Sequence, residues 1–266
     1  MADTADHDLA TAAAAPVVLI TGGAGGMGAA AAMRFVAGGW RVALVDLDAD
    51  RAATLAAGLG PQAAAFGCDV TSPTDCHATT ASVLAWAGQI DHVIAAAGLW
   101  TEGDISGVTE REFDRVMAVN VKGVFFTCQA AAAAIRAAKG SMTLIASDAG
   151  IQANRGASVY CASKGAVVLL AKTLALDLAP EGVRVNAVCP GDVMTPMLDY
   201  QADAYGGGDR EAYLGDLLAK YPQRDRARFI EPAEIAEFLW FLAQPGAAAI
   251  NGAALSIDFG LSSGVQ

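Results

Sequence analysis

The sequence contains little charge, and little basic charge in particular. Only 17% of its 266 residues are charged, and 17 Lys and Arg stand against 28 Asp and Glu, a net charge of −11. No stretch concentrates lysine or arginine, and binding to a phosphate backbone needs a concentrated basic face. The composition therefore argues against a nucleic-acid partner. The hydrophobic content of 54% is enough for one sizeable core and excludes a disordered chain.

Cysteine, histidine and long apolar runs are also scarce. The odd number of cysteines and their spacing favour reduced thiols in a cytoplasmic protein, with no disulfide framework and no catalytic metal. They are Cys68, Cys76, Cys128, Cys161 and Cys189. No run approaches the ~18–20 apolar residues of a transmembrane helix, so we expect no membrane partner. The acidic N-terminus lacks the basic start of a signal peptide, and we predict a flexible tail over residues 1–15.

Short apolar runs alternate with helical patterns along the rest of the chain. This alternation predicts an α/β fold in which a doubly wound parallel sheet carries helices on both faces. We expect a single Rossmann-type catalytic domain over residues 16–266. Residues 195–230 interrupt the alternation with three consecutive glycines, mixed charges and several aromatics. Such an excursion predicts either a lid over the substrate or a disordered segment.

Glycine is concentrated in one place, the stretch VVLITGGAGGMG from Val17 to Gly28. The glycines follow a predicted strand and open a predicted helix. Backbone N–H groups in such a turn form an anion site suited to a pyrophosphate. We expect Gly22, Gly26 and Gly28 to be needed for the turn, the phosphate approach and the helix–strand contact. The alternative is a tight turn that binds no ligand.

Two acids end the next predicted strands. Asp46 lies 18 residues after Gly28, where a carboxylate accepts hydrogen bonds from an adenosine ribose. Asp69 ends the third strand and is predicted to contact the adenine edge. A carboxylate at Asp46 repels a ribose 2′-phosphate, and neither Gly25 nor Leu47 is a basic residue that would attract one. These residues favour NAD over NADP, although Asp46 alone is also typical of a turn.

A second group of polar residues lies downstream. Tyr160 and Lys164 are four residues apart, which places them on one face of a helix. A lysine ammonium beside a phenol lowers the phenol pKa, so that Tyr160 could exchange a proton with a substrate hydroxyl. Ser147 follows the fifth predicted strand and could hold the substrate oxygen. Asn120 interrupts an apolar helix, where it could bond a kinked backbone or hold a water. Taken singly, each is also typical of a purely structural residue.

In this order the motifs resemble the short-chain dehydrogenase/reductase family over roughly residues 16–260. The motifs are TGGAGGMG at 21–28, DV at 69–70, AAAG at 95–98, N at 120, S at 147, YCASK at 160–164 and PGDVMT at 190–195. The resemblance implies a Rossmann fold, a homotetramer paired through long helices, and an NAD-dependent oxidoreductase that interconverts a secondary alcohol and its ketone. The helix over 158–178 and the alanine-rich segment 129–138 would suit such an interface.

The same resemblance implies roles for individual residues. Tyr160 is then the catalytic acid/base, Lys164 lowers its pKa and binds the nicotinamide ribose, Ser147 polarises the substrate oxygen, and Asn120 holds a water in a proton relay. The segment after the sixth strand flanks the nicotinamide through Pro190, Gly191, Val193 and Thr195. Further cofactor contacts are predicted at Met27, Leu47, Val70, Ala96 and Gly98.

One motif departs from the family pattern. Family members usually have Asn-Asn-Ala-Gly or Asn-Ala-Gly after the fourth strand, where this chain has Ala95-Ala96-Ala97-Gly98. The missing amide would normally brace the sheet near the adenosine. The departure puts a structural hydrogen bond in doubt and leaves the chemistry in place.

The substrate is the least determined part of the prediction. Polar residues expected near the pocket favour a sugar or polyol, namely Asp148, Gln152, Asn154, Asp192 and Tyr200. The alternative for Asp148 and Asp192 is that they only cap turns. The apolar side chains Trp100, Met194 and Met197 would equally line a pocket for a simple secondary alcohol. Two further alternatives are a 3-oxoacyl-thioester reductase and a non-catalytic NAD-binding redox sensor. A sensor, however, has no need of all four of Asn120, Ser147, Tyr160 and Lys164.

Overall fold

The computed structural model describes residues 15–264, so most of the predicted N-terminal tail lies outside the described residues. Within this range, strands and helices alternate as the hydrophobic pattern predicts. The strands are β1 (Val17–Thr21), β2 (Arg41–Asp46), β3 (Ala63–Gly67), β4 (His92–Ala95), β5 (Ser141–Ile145), β6 (Arg184–Pro190) and β7 (Ala254–Ile257). The α-helices are α1 (Gly26–Ala37), α2 (Ala49–Leu59), α3 (Pro73–Ala87), α4 (Glu110–Met117), α5 (Val124–Ala138), α6 (Ser158–Leu178), α7 (Pro196–Tyr205), α8 (Arg210–Leu218) and α9 (Pro232–Ala243).

The strands form one sheet in the order β3-β2-β1-β4-β5-β6-β7, and every neighbouring pair is parallel. From β1 the chain first adds strands on one side of the sheet (β2, β3) and then on the other (β4 to β7). Ligands bind at this switch point between β1 and β4 in sheets of this type. The predicted doubly wound fold is confirmed. Continuous apolar strands such as VVLIT are buried along their whole length because helices cover both faces.

Two hydrophobic clusters separate the layers. On one face α3, α5 and α6 pack on the sheet through residues such as Val83, Ile135 and Val167. On the other face α1, α2 and α9 pack through Phe35, Ala52 and Leu239. The sheet is therefore desolvated on both sides, and only its edges and strand ends are left to meet water.

Helix boundaries follow local chemistry. Asp48 and Ser72 cap α2 and α3 with side-chain oxygens, and Pro73 occupies the first turn of α3. The sequence pattern predicts helices over 29–37 and 158–178; α6 matches the bounds of the second, whereas α1 begins earlier than the first, at Gly26. The earlier start arises because the glycines themselves form the first turn of α1.

Two helical stretches are long and apolar enough to cross a membrane by length and composition, Glu110–Ala138 and Ser158–Glu181. Each packs one face against the sheet and belongs to the core cluster shared by α5 and α6. Core helices of this kind meet the same criterion as membrane spans. We therefore interpret both as core helices.

The excursion predicted over residues 195–230 folds into α7, α8 and a short 3₁₀ turn at Arg224–Arg226. Asp209 caps the start of α8, and Arg210 bonds Asp203 at the end of α7 at 2.8 Å. The segment is thus ordered structure that lies over the carboxyl end of the sheet. Its movement as a lid stays a prediction.

His92 is a titratable side chain sealed inside the core. It is fully buried, stacks on Phe35, and shares a 2.8 Å hydrogen bond between Nδ1 and the Ser141 hydroxyl. Burial, with a smaller contribution from the Arg184 cation, lowers the pKa of His92 from 6.5 to about 3. The folded protein keeps this ring neutral in a pH range where the unfolded chain protonates it.

The free energy of unfolding should therefore fall as the pH falls from 6.5 towards 3. Between pH 7 and pH 5 the His92 contribution to this loss is about 2 kcal/mol, since the unfolded chain binds a proton that the folded chain does not. The double variant His92→Leu/Ser141→Ala, which removes both partners of the hydrogen bond, should lose less stability over this interval. Urea unfolding at the two pH values measures the difference.

The matched control is His77→Gln, because His77 is exposed on α3. It should keep the acid sensitivity of the unaltered protein. An equal loss of stability in the double variant and the unaltered protein would exclude His92 as the source of the effect.

Candidate active site

The carboxyl ends of the parallel strands bring the predicted site residues to one edge of the sheet. Asp46 is the last residue of β2, Ala96 directly follows β4, Ser147 lies two residues past β5, and Pro190 ends β6. Because these strands are parallel neighbours, their ends are adjacent in space. Residues separated by more than a hundred positions in the chain therefore share one cleft.

The glycine-rich loop closes directly on itself. Gly22 has a φ of 65°, which disfavours other residues, and a Cβ on Gly28 would overlap the Gly22 carbonyl oxygen. Helix α1 starts without any side chain that caps its N-terminus. Its first N–H groups are thus available for an anion.

A second loop faces this one across the cleft. A Cβ on Gly26 would lie 3.0 Å from the Thr195 methyl group, so the glycine loop and the loop after β6 are in contact. The Thr195 hydroxyl bonds the Val193 carbonyl at 3.2 Å, and Val193 forms a parallel bridge with Ile230. These contacts hold the loop from Val193 to Thr195 beside the start of α1.

At the other end of the cleft the acids are held by backbone groups. Asp46 accepts from the Ala24 N–H at 3.0 Å and from the Asp48 N–H at 3.1 Å. Asp69 accepts from the N–H and the hydroxyl of Thr71 through one carboxylate oxygen. Leu47 is 75% exposed beside Asp46. Val70 instead packs inward, because a Cβ on Gly123 would lie 2.8 Å from one of its methyl groups.

The centre of the cleft holds Ser147, Tyr160 and Lys164, and all three are buried. Tyr160 and Lys164 project from α6 towards the end of β5. The Lys164 ammonium donates to the Ile145 carbonyl at 2.9 Å and lies 5.6 Å from the centre of the Tyr160 ring. The Trp100 ring covers Tyr160, with 4.3 Å between ring centres. The spacing of four residues thus has the predicted consequence of one shared helix face.

Burial governs the protonation of this group. It raises the pKa of Tyr160 well above its usual range, and a hydrogen bond from Ser147 only partly opposes it. It lowers the pKa of Lys164 to about 8. Burial of the phenol therefore opposes the lowered tyrosine pKa that the sequence suggested.

Asn120 lies in a π-helical turn, Ala118–Gly123, which separates α4 from α5. Its amide accepts from the Leu99 N–H at 2.8 Å and donates to the Leu99 carbonyl at 2.9 Å and the Ser163 hydroxyl at 3.0 Å. The predicted helix break near Asn120 is thus a π-turn, a feature that often marks functional sites. A Cβ on Gly98 would lie 3.5 Å from both the Asn120 amide oxygen and the Lys164 ammonium, so these three residues meet.

One pocket gathers residues from both predicted sets. It is lined by Met27, Trp100, Ala146, Ser147, Asp148, Asn154, Tyr160, Pro190, Gly191, Asp192, Val193, Thr195, Met197, Leu198 and Gln201. Gln152 lines an adjoining cleft of about 560 Å³. Met194, which the sequence also suggested, does not line either cavity. Within the described residues, no group of three or more His, Cys, Asp or Glu side chains is arranged to hold a metal ion.

Two carboxylates flank the pocket on the side away from the glycine loop. Asp148 accepts from the Ser147 hydroxyl at 2.8 Å, from Gln152 at 2.9 Å and from Asn154 at 3.1 Å. Asp192 accepts from the Tyr221 hydroxyl at 3.0 Å. Burial, together with the charge of Asp148, raises the pKa of Asp192 to about 6. The pocket is therefore rich in hydrogen-bond acceptors and negative in charge at neutral pH.

Some contributors to the site were not predicted from the sequence. Glu102 accepts from the Trp100 indole at 2.9 Å and from the Tyr213 hydroxyl of α8 at 2.8 Å. It thereby joins the excursion to the side chain that covers Tyr160. Tyr221 and Gln201 were missed for the same reason, since all come from loops or from the excursion, whose placement has no periodic signal.

The departure at Ala95–Ala97 has a local replacement. The Ala96 N–H donates to the Thr21 carbonyl at 3.2 Å, and the Ala97 N–H approaches the Thr21 hydroxyl at 3.5 Å. Backbone and a threonine from β1 thus tie this segment to the sheet near the glycine loop.

Sequence comparison places this arrangement among known proteins. A family model described as "Enoyl-(Acyl carrier protein) reductase" matches residues 22–262. The chain is 37% identical over 250 residues to 2-(S)-hydroxypropyl-CoM dehydrogenase 3 of Xanthobacter autotrophicus, covering 92% of this chain and 96% of the relative. It is 38% identical to D-threitol dehydrogenase of Mycolicibacterium smegmatis over 92% of each chain.

Solved structures give the same result at the level of the fold. Levodione reductase superposes with a TM-score of 0.89 at 28% identity, covering 94% of this chain and 98% of that one. The 3-ketoacyl-(acyl-carrier-protein) reductase of Brucella melitensis complexed with NADH gives a TM-score of 0.84 at 29% identity, covering 94% and 99%.

The contact between Gly28 and Gly22 should make the glycine loop intolerant of a methyl group. Gly28→Ala forces the first turn of α1 away from β1, and it should lower the free energy of unfolding by about 1–3 kcal/mol, the usual range for overpacking. It should also weaken NADH binding. Urea unfolding and fluorescence titration with NADH measure the two effects.

Gly58→Ala is the matched control. Gly58 lies inside α2 with open space where a Cβ would be, so the substitution should raise stability by about 0.5–1 kcal/mol and leave NADH binding unchanged. Equal effects of the two substitutions would contradict the close contact at Gly28.

Proposed function

Because the chain belongs to the short-chain dehydrogenase/reductase family, we propose that Tyr160, Ser147 and Lys164 carry its chemistry. The chain is an NAD(H)-dependent oxidoreductase that interconverts a secondary alcohol and its ketone. The observation that carries the assignment of residues is the burial of these three side chains together at the carboxyl end of β5, beside a free helix N-terminus. When bound, the nicotinamide exchanges a hydride with the carbinol carbon of the substrate.

The glycine loop and its surroundings fit a dinucleotide. Gly22 and Gly28 allow the tight turn that sets the uncapped N-terminus of α1 at the cleft for the pyrophosphate, and Asp46 receives the adenosine ribose hydroxyls. Asp69 and Val70 border the adenine. The loop from Pro190 to Thr195, with Met27 opposite, borders the nicotinamide. This placement of contacts is supported by the shared cleft and by the two loops that touch across it.

Tyr160 is the group that moves the proton. During alcohol oxidation its phenolate oxygen takes the proton of the substrate hydroxyl, and during ketone reduction the phenol returns one. In the absence of ligands desolvation holds the proton on Tyr160. Lys164 lies on the same helix face, and positive charge in its vicinity stabilises the phenolate.

Ser147 and Asn120 assist this proton transfer from different positions. The Ser147 hydroxyl donates to Asp148 in this structure, and we propose that it exchanges this partner for the substrate oxygen. Asn120 fixes Leu99, and so holds Gly98 close to Lys164. Its predicted role in holding a water of a proton relay remains part of the proposal.

The substrate is best described as a polyol. Asp148, Asp192, Gln152 and Asn154 supply acceptors and amides that suit further hydroxyl groups beside the reacting carbon. The two carboxylates repel anionic substrates, which disfavours a substrate whose reacting end carries a phosphate or a carboxylate. Relatives named for D-threitol, galactitol and sorbitol, at 37–38% identity, support the same class. The thioester-reductase alternative matches the description of the family model and one solved structure, but the more similar curated relatives are dehydrogenases of alcohols and polyols, so neither it nor the redox-sensor alternative is favoured.

We also propose that the chain forms a homotetramer and works in the cytoplasm. The apolar face between α5 and α6 carries Phe125 and Leu169, which are 40% and 65% exposed. Phe125 lies in the first turn of α5, towards the N-terminus from the predicted alanine-rich segment 129–138, and Leu169 lies within the predicted helix over 158–178. The five free cysteines, four of them buried, suit a reducing compartment.

Removing the Tyr160 hydroxyl should abolish turnover while the cofactor still binds. Tyr160→Phe should lower kcat about 1000-fold, in the range of lost acid–base catalysis. Fluorescence titration should give a dissociation constant for NADH close to that of the unaltered protein. Steady-state rates with NAD and a panel of threitol, galactitol, sorbitol and 2-butanol provide the comparison.

Tyr200→Phe is the matched control, because Tyr200 is half-exposed on α7 and does not line the pocket. It should keep the kcat of the unaltered enzyme. Unchanged turnover in Tyr160→Phe on the preferred substrate would refute the assignment.

Asp192 should affect the recognition of polyols and have little effect on simple alcohols. Asp192→Asn removes a charge-assisted hydrogen bond, so KM for the preferred polyol should rise about tenfold or more. KM for 2-butanol should hardly change. In the unaltered enzyme, KM for the polyol should also rise as the pH falls through about 6, where the Asp192 carboxylate becomes protonated.

The exposed Asp216 at the rim of the adjoining cleft provides the control variant Asp216→Asn. It should keep both KM values. If Asp192→Asn raised KM equally for the polyol and for 2-butanol, the role of Asp192 would be to maintain the structure of the pocket, and not to recognise the additional hydroxyl groups of the substrate.

A further inference from the structure

The carboxylate of Asp46 is fixed in place at the end of β2. One of its oxygens accepts from the Ala24 N–H of the glycine loop and the other from the Asp48 N–H. Both bonds come from the backbone and orient the carboxylate towards the glycine loop. Its negative charge is therefore held against the loop, where it repels a second phosphate on the adenosine ribose.

A guanidinium group lies on the same loop. A Cβ on Gly25 would lie 3.8 Å from both terminal nitrogens of Arg51. Gly25 has no side chain, so Arg51 reaches the space above residue 25 from the first turn of α2. The N-cap hydrogen bond from the Arg51 N–H to Asp48, at 3.0 Å, fixes the point from which its side chain starts. No feature of the linear sequence near the glycine motif indicates this approach.

Arg51 has its hydrogen-bonding capacity available. Its guanidinium forms no ion pair or hydrogen bond with any residue in the range 15–264, whereas other arginines, such as Arg34, Arg136 and Arg228, pair with glutamates. The side chain is exposed. A guanidinium presents its N–H groups as a planar fork that matches a phosphate group.

We propose that Arg51 forms a latent binding site for a ribose 2′-phosphate and that Asp46 alone keeps NADP(H) out. The proposal rests on the cofactor site described above, since it assumes that the adenosine ribose lies at Asp46. The glycine loop is then flanked by two opposite charges. The fixed Asp46 carboxylate accepts hydrogen bonds from the ribose hydroxyls of NAD(H). It also repels a 2′-phosphate, and once the carboxylate is removed the Arg51 guanidinium beside Gly25 can bind that phosphate.

The experiment measures cofactor binding directly. Dissociation constants for NADH and NADPH are obtained by fluorescence titration for the full chain, Asp46→Ser, Arg51→Gln, the double variant and Arg111→Gln. Arg111 is an exposed arginine on α4 and serves as the control for a lost positive charge. Asp46→Asn, which keeps the side-chain size, repeats the test in case Asp46→Ser does not fold. Thermal unfolding establishes that each variant is folded.

Asp46→Ser should bind NADPH about tenfold more tightly than the unaltered protein, because one repulsive charge is removed while the guanidinium remains. Adding Arg51→Gln should abolish most of this gain. Arg51→Gln alone should leave NADH binding within about threefold, and Arg111→Gln should change neither constant. The NADPH gain should also shrink with added salt, since it depends on a charge pair.

Equal NADPH affinity in Asp46→Ser and the double variant would overturn the proposal, as would a folded Asp46→Ser that gains nothing for NADPH. Failure of the proposed cofactor site gives a different result. In that case the unaltered protein would not bind NADH, whatever the variants do.

Discussion

The parallel alignment of the sheet is the constraint on which the site depends. In a parallel sheet every strand ends at the same edge, and every crossover helix begins there. The strand pairs β1–β4, β4–β5 and β5–β6 therefore set Thr21 beside Ala95, Ala95 beside Leu144, and Ile145 beside Val188. Everything that binds or reacts is attached to this edge, either as a strand end, a helix N-terminus or a loop between the two.

Burial is the second determinant, and it acts on charge. The same layers that desolvate the sheet enclose Lys164, Tyr160 and Asp148, each less than 10% exposed. Desolvation disfavours the charged form, which is why burial lowers the pKa of Lys164 to about 8 and raises that of Asp192 to about 6. Charges that remain are held by several donors, as at Asp148. The chemistry thus depends on the ligands that enter the cleft and restore charge to it.

Much of the fold could be predicted because the spacing of apolar residues along the chain indicates which residues are buried. Strand β1 is apolar from Val17 to Ile20 and α6 has a long apolar helical pattern, so the predicted bounds of both agreed closely with the structure. Asn120 stood out as a polar residue inside an apolar helix, and it marks a π-turn. The excursion was less predictable, because α7 and α8 are stabilised by caps and ion pairs on a surface that has no strong hydrophobic pattern. The hydrogen bond from Tyr213 to Glu102 joins residues 111 positions apart, for which local sequence holds no signal.

By itself the sequence determined the doubly wound fold, the family and the residue types of the site, because spacing and glycine placement follow from local backbone geometry. The order of motifs was enough to indicate an NAD(H)-dependent oxidoreductase. Tertiary structure alone decided which side chains meet. It brought Arg51 over Gly25, closed Trp100 over Tyr160, and raised the pKa of that tyrosine where the sequence suggested a lowered one. Desolvation and long-range contact depend on how the layers pack, and no stretch of sequence contains that information.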